Sequence, residues 1–313
     1  MRLPRADVIT DVPGVLVGHW TGEATGVTVV VFPPETVGSV EIRGGAPATR
    51  ETAVLDPLAT VQHVDAIVVS GGSAFGLAAA DGVMRALAEQ GRGFPTRAGT
   101  VPIVPAAAIF DLVPDRDLRP GPEEGRAALA AALDPDAPPL ATGRVGAGTG
   151  ASVAKWRGHE HGTTGGLGSA SARDGEVVVG ALVVVNAVGD VVAADGTPIV
   201  ASAAPEHVSG FPEEAPFEAE LGKDSDGAGT NTTIAVIATN ARCTKPQCHL
   251  LAQSANHGLA RSIHPSHTRH DGDLAFACAT GTVDAHFDRL RVLVTEVTAE
   301  AVRNAVAYHR DNP

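Results

Sequence analysis

Residues 227–237 read GAGTNTTIAVI, a run of small residues that turns abruptly into a β-branched one. The change at Asn231-Thr232 organises the reading on either side. Upstream, the block 203–230 holds the acidic, Pro- and Gly-rich stretch PEHVSGFPEEAPFEAELGKDSDGAG, the composition of a mobile linker. Downstream, Thr232 to Val236 (TTIAV) predicts a strand. A helix over Gln247–Ile263, the polar loop HPSHTRHDGD (264–273), the strand LAFACAT (274–280) and a last helix over Thr298–His309 follow.

Before the linker, residues 177–194 (VVVGALVVVNAVGDVVAA) predict a buried hairpin turning near Val188-Gly189-Asp190. Within 8–70 the runs GVLVGHW, GVTVVVF, VGSVEIRGG and AIVVSGG predict strands separated by glycine turns. Residues 74–90 change to helical spacing, with Phe75, Ala79, Val83, Ala86 and Leu87 on one face and Gly91 as the stop. Thr100–Ile109 reads as a proline-broken strand, and 113–142 as a surface segment with one short helix, Glu123–Leu133. Blocks of strands and helices, without strict βαβ alternation, predict a layered α+β or sandwich arrangement in a single domain.

The 313 residues are 44% hydrophobic and 19% charged, enough for a large core without disulfide or metal staples. Aromatics make up only 4%, against 36 Gly and 22 Pro, so the core must be built from Ala, Val, Ile and Leu between tight turns. A formal net charge of −13 argues against nucleic acid and anionic membrane surfaces as partners. Three cysteines, Cys243, Cys248 and Cys278, predict reduced thiols and a cytoplasmic setting. The N-terminal residues lack the apolar run of a signal peptide, and the longest apolar run, Val177–Val188, is too short to span a bilayer.

A linker that delivers a hydroxyl residue to the first position of a buried strand suits one particular chemistry. The hydroxyl attacks the carbonyl before it, an ester forms, and hydrolysis frees a new α-amino group. With a pKa of about 7.7–8.0, that amine is a general base on the same residue as its nucleophile. A loop that merely enters a strand is the structural alternative, and Asn231-Thr232-Thr233 also fits a glycosylation sequon. Elsewhere, Ser70-Gly71-Gly72-Ser73 between a strand and a helix presents backbone N–H groups suited to a substrate carboxylate or an oxyanion. The alternative is a tight turn capped by Ser73. Gly146-Ala147-Gly148-Thr149-Gly150-Ala151 fits the dinucleotide pattern G-x-G-x-x-A, but residues 152–165 (SVAKWRGHEHGTTG) cannot sustain the helix that pattern needs. The glycines instead let backbone approach a substrate or a neighbouring strand. His264, His267 and His270 recur every third residue, yet Pro265 interrupts them; like His159 and His161, they read as loop residues. Neither a metal nor a cofactor is expected.

Several ordered motifs carry a resemblance over nearly the whole chain: ITDVPGVLVGH (9–19), GVTVV (26–30), SGGSAFGL (70–77), GAGTGA (146–151), Lys155-Trp156 with GGLGS (165–169), and NTTI (231–234). Together they resemble the L-aminopeptidase/D-esterase family of self-processing hydrolases, the S58 peptidases, which includes β-peptidyl aminopeptidases and a pantetheine hydrolase. The resemblance implies an αββα sandwich like that of N-terminal-nucleophile hydrolases with its own connectivity. It also implies self-cleavage between Asn231 and Thr232 into chains 1–231 and 232–313, and hydrolysis of peptide, amide or ester bonds in small substrates. Thr232 is then the nucleophile, Thr233 its neighbouring hydroxyl, and Asn186 the oxyanion donor. Thr268 and Asp271 supply the hydroxyl and acid beside them, with Asp273 the competing choice of acid. Gly71, Gly72, Ser73, Gly148, Thr149 and Lys155 are the substrate-binding candidates. The family commonly forms homotetramers. Its aminopeptidases carry a tyrosine shortly after the Gly-Thr-Gly motif, where this chain reads Gly150-Ala-Ser-Val-Ala154, which keeps a pantetheine-type amide open as substrate. A non-enzymatic glycine-rich binding protein is the remaining alternative, and it would stay one uncut chain.

Overall fold

The computed structural model describes residues 8–114, 116–205, 207–208 and 231–307. The linker expected at 203–230 therefore lies largely outside the described residues.

Ten strands form two stacked sheets. The first holds β1 (Leu16–Thr21), β2 (Gly26–Val31), β4 (Ala48–Arg50), β5 (Ala66–Ser70) and β6 (Ala106–Ala108), in the order β1-β2-β5-β6-β4. The second holds β3 (Val37–Ile42), β7 (Gly166–Asp174), β8 (Val177–Asn186), β9 (Thr232–Ala241) and β10 (Leu274–Val283), in the order β7-β8-β9-β10-β3. Each sheet has one parallel pair, β5 with β6 and β9 with β10; the other neighbours are antiparallel.

Two helices cover each outer face. Helices α1 (Ala79–Glu89) and α2 (Pro122–Leu133) pack on the first sheet through Ala80, Val83, Leu87 and Leu129. Helices α3 (Lys245–Ala260) and α4 (Phe287–Ala305) pack on the second through Leu251, Leu259, Val294 and Val302. The result is the expected αββα sandwich. Every residue of β8 and β9 is buried because each of their faces meets another layer. Val179, Ala181, Val183, Ala235 and Ile237 point to the helices, while Val178, Leu182, Val184, Ile234 and Val236 join Val30, Ile67 and Val69 between the sheets.

Some element readings need correction. Residues 177–194 are not one hairpin: Val177–Asn186 is a single long strand whose hairpin partner is the upstream β7. Asp190–Val192 joins a separate small sheet. The β7 segment GLGSASARD is small-residued because α4 lies on it; a Cβ at Gly168 would come within 2.0 Å of the Ala301 carbonyl. The last helix begins at Phe287, not Thr298, and α3 runs over Lys245–Ala260. The 74–90 periodicity divides into a short turn, Ser73–Gly76, and α1, which leaves Phe75 56% exposed against Arg119.

Candidate active site

Antiparallel pairing of β8 with β9 sets Asn186 opposite Thr232. Parallel pairing of β9 with β10 brings the loop before β10 alongside, with Asn231 bridged to Asp271. Residues 43–46, leaving β3, hold that loop in place: Arg43 and Gly44 N–H donate to the Asp273 carbonyl, Gly45 to Thr268 and Ala46 to Asp271. The strands thus gather Asn231, Thr232, Thr233, Asn186, Thr268, Asp271 and Asp273 at one end of the second sheet.

The Thr232 hydroxyl donates to the carbonyl oxygen of Asn231 at 2.5 Å, and the Gly272 N–H donates to the same oxygen at 2.7 Å. Asn231 and Thr232 are both 2% exposed, so this arrangement sits out of bulk water. Thr233 N–H donates to Asp273 Oδ1 at 2.6 Å. Asp271 Oδ2 accepts from the Thr268 N–H at 2.9 Å and hydroxyl at 2.7 Å, and its Oδ1 accepts from Val188 N–H at 3.4 Å.

Lys155 enters from the loop after a left-handed residue, Ala154, at φ +60°. Its Nζ donates to Asn186 Oδ1 at 3.0 Å. Burial pushes its pKa down to about 7, against the pull of the Asp271 and Asp273 charges. Burial, together with the Asp273 charge, raises Asp271 to about 6, and the hydrogen bonds from Thr268 and Val188 oppose that rise. An amine and an acid that both titrate near neutrality therefore lie in one buried site.

The structure uses several candidates differently from the expectation. The Asn186 side-chain amide donates to the Phe110 carbonyl at 3.1 Å, and the Gly272 N–H joins the Thr232 hydroxyl on the Asn231 oxygen. The N–H groups of Gly71, Gly72 and Ser73 are already committed, to Gly26 O, Asp111 Oδ1 and Ile109 O, so the backbone here forms a tight turn. Ser73 makes no capping bond, and it sits at φ +54°. Gly148 and Thr149 belong to a buried turn: Gly148 N–H donates to Val145 O and the Thr149 hydroxyl to Gly146 O. A strand, Ser152–Val153, follows in place of the helix a dinucleotide site requires. These residues brace the loop that carries Ser152 and Lys155. His264 is exposed while the His267 ring turns to Asp273 and Asn256, so the histidine triplet does not converge.

Gly272 was not singled out from the sequence, although its position between two acids marks it. A Cβ there would lie 2.7 Å from Thr232 Oγ1 and 2.8 Å from the Ala46 carbonyl. Gly272→Ala is expected to displace the Thr232 hydroxyl and slow any reaction at the Asn231 carbonyl by about 10²-fold. A denaturing-gel time course on freshly synthesised protein reads this as persistence of the full-length band.

A family model for peptidase family S58 matches residues 7–311. The chain belongs to peptidase family S58. Membership makes it a hydrolase of peptide or amide bonds. This S58 peptidase is 46% identical over 305 residues to an uncharacterized aminopeptidase of Mycobacterium leprae, covering 88% of this chain and 79% of that one. It is 32% identical over 293 residues to a 6-aminohexanoate-oligomer endohydrolase of Paenarthrobacter ureafaciens, covering 88% and 75% respectively. Among solved structures it resembles the L-aminopeptidase D-Ala-esterase/amidase of Ochrobactrum anthropi, described as a variant of the N-terminal-nucleophile hydrolase fold. That match has a TM-score of 0.70 at 20% identity over 97% of this chain and 88% of that one. At that identity the likeness speaks for the fold. None of the described helices of this peptidase is long and apolar enough to cross a membrane.

Proposed function

We propose that this peptidase cuts its own chain between Asn231 and Thr232, and that Thr232, as the new N-terminus, then hydrolyses amide bonds of small substrates. The observation that carries the reading is the pair of hydrogen bonds on one oxygen. The Thr232 hydroxyl lies against the carbonyl it would attack, and the Gly272 N–H is already placed to hold the charge that develops there.

An uncut chain has no free α-amine at Thr232, so the first cut needs a base from elsewhere. Lys155, neutral for part of its population near pH 7, is the group suited to it. In this reading Thr232 Oγ1 bonds to the Asn231 carbonyl carbon and its proton passes to the amine of Lys155. The C–N bond then breaks, the nitrogen takes the proton back, and an ester joins Asn231 to Thr232. Water hydrolyses the ester, leaving an Asn231 carboxylate together with the free hydroxyl and amine of Thr232. In the substrate cycle Thr232 Oγ1 bonds to the substrate's amide carbon while its proton passes to the freed α-amine, the substrate's amine takes that proton and leaves, and water then hydrolyses the acyl ester to release the acid. Asp271, close enough to act on Lys155, balances its charge as the proton moves.

The relatives support amides as the substrate class, since one is described as an aminopeptidase and another as a hydrolase of 6-aminohexanoate oligomers. A panel of α-aminoacyl and β-aminoacyl p-nitroanilides, 6-aminohexanoate dimer and pantetheine tests this. Turnover of at least one member is expected from the cut protein. Cut protein inert toward the whole panel would overturn the amide reading.

A further inference from the structure

His267 stands behind the site, outside the steps described above. It is a non-glycine residue in the left-handed region, at φ +56°. Its backbone N–H donates to Asp273 Oδ2 at 3.0 Å, and its ring Nδ1 lies 3.0 Å from the same oxygen. Its Nε2 lies 3.2 Å from the backbone carbonyl oxygen of Asn256 on α3. A carbonyl oxygen can only accept. Asp273 takes N–H groups on both of its oxygens, from His267 and from Thr233, so it too is an acceptor. A neutral imidazole carries one N–H and satisfies one of two acceptors; only the imidazolium satisfies both.

Among the described residues, the charges that act on the ring are those of Asp273 and Asp271 from its own loop, and these two also act on Lys155. On the other side Asn256 Nδ2 bonds Glu41 of β3, which is paired with Arg43. Two carboxyl groups, each 1% exposed, share this corner, and both can be ionised only at high cost unless one has a cation against it.

We propose that His267 is a positioning residue: held as the imidazolium, it pairs with Asp273, fixes that carboxyl against the Thr233 N–H and so leaves Asp271 as the member of the acid pair that exchanges a proton. Burial lowers the pKa of the ring, but the hydrogen bonds to Asp273 and Asn256 and the charges of Asp273 and Asp271 together outweigh burial and raise it above the ordinary 6.5.

The inference rests on the proposed function only where activity is measured, so its test has two arms. Histidine C2-hydrogen exchange followed by mass spectrometry, on wild type and on uncut Thr232→Ala, reads the midpoint of His267 directly. A midpoint above 6.5 is expected, falling by about one pH unit or more in Asp273→Asn. A midpoint at or below 6.5, or one indifferent to Asp273→Asn, overturns the inference whatever becomes of Thr232. In the second arm His267→Asn tolerates the left-handed backbone and donates one hydrogen bond without charge. Loss of the cation leaves the negative charge of Asp271 and Asp273 uncompensated beside Lys155 and favours its protonated form, so the acid limb of self-cutting is expected to move up by about one pH unit, costing about tenfold on that limb and little on the plateau. A uniform loss at every pH, with the limb unmoved, would mark a merely structural role and contradict the proposal.

Discussion

Thr232→Ala is expected to accumulate as one uncut chain of 313 residues with no measurable amide hydrolysis. The neighbouring hydroxyl cannot substitute. Side chains alternate along β9, so Thr232 shares the inter-sheet side with Ile234, whereas Thr233 shares the helix side with Ala235. Of the two hydroxyls, that of Thr232 bonds the Asn231 oxygen and that of Thr233 does not, and removing such a nucleophile costs on the order of 10⁶-fold. Thr232→Ser keeps a hydroxyl at the same position and is expected to cut, more slowly. Thr233→Ala is expected to cut as well. Mass spectrometry of the purified variants, paired with the amide panel, checks all three. Cutting in Thr232→Ala would remove the assigned nucleophile from the account.

Lys155→Met carries the second large effect. Methionine matches the stem of the buried lysine and removes its titrating nitrogen, so the base for the first proton transfer is lost. General-base contributions of about 10²–10⁴-fold set the expected fall in the rate of self-cutting. In wild type the rate should decline as pH falls through about 7, where Lys155 takes up its proton. Wild-type stability should also fall as pH drops, but over a higher window. The lysine's folded pKa lies below its ordinary 10.5, so the unfolded chain binds more protons between about 7 and 10.5, and folding is progressively disfavoured as pH drops through that window. The cost is complete below about 7, and Lys155→Met escapes it. Its melting temperature is therefore expected to exceed that of wild type at acidic pH, with the difference shrinking toward alkaline pH. Thermal melts across pH measure this, and a variant that cuts as fast as wild type would contradict the assignment.

The parts of this molecule that were legible in its sequence are those governed by local composition. The β-branched runs of β2, β5, β8 and β9 declare buried strands because each face of each sheet meets an apolar layer. Asn231-Thr232, Asn186, Thr268 and Asp271 could be gathered in advance because the motifs fall in a recognisable order. What stayed hidden depends on partners far away in the chain. The Ser70–Ser73 turn looks open to an anion until Gly26, Ile109 and Asp111 are seen to occupy its donors. β7 gives no strand reading from its small residues, for which the packing of α4 supplies the reason. Lys155 suggested a substrate contact; only its depth, 5% exposed beside two aspartates, turns it into a candidate base. The two acids of Asp271-Gly272-Asp273 are alike on the page and differ by the company each keeps, Thr268 and Val188 for one, Thr233 and His267 for the other.

The most direct test is the covalent state of the wild-type protein. Purified material, denatured and weighed by intact mass spectrometry with N-terminal sequencing, is expected to contain two chains, one ending at Asn231 and the other beginning at Thr232. A single 313-residue chain that hydrolyses amides while still joined at that bond would contradict the account.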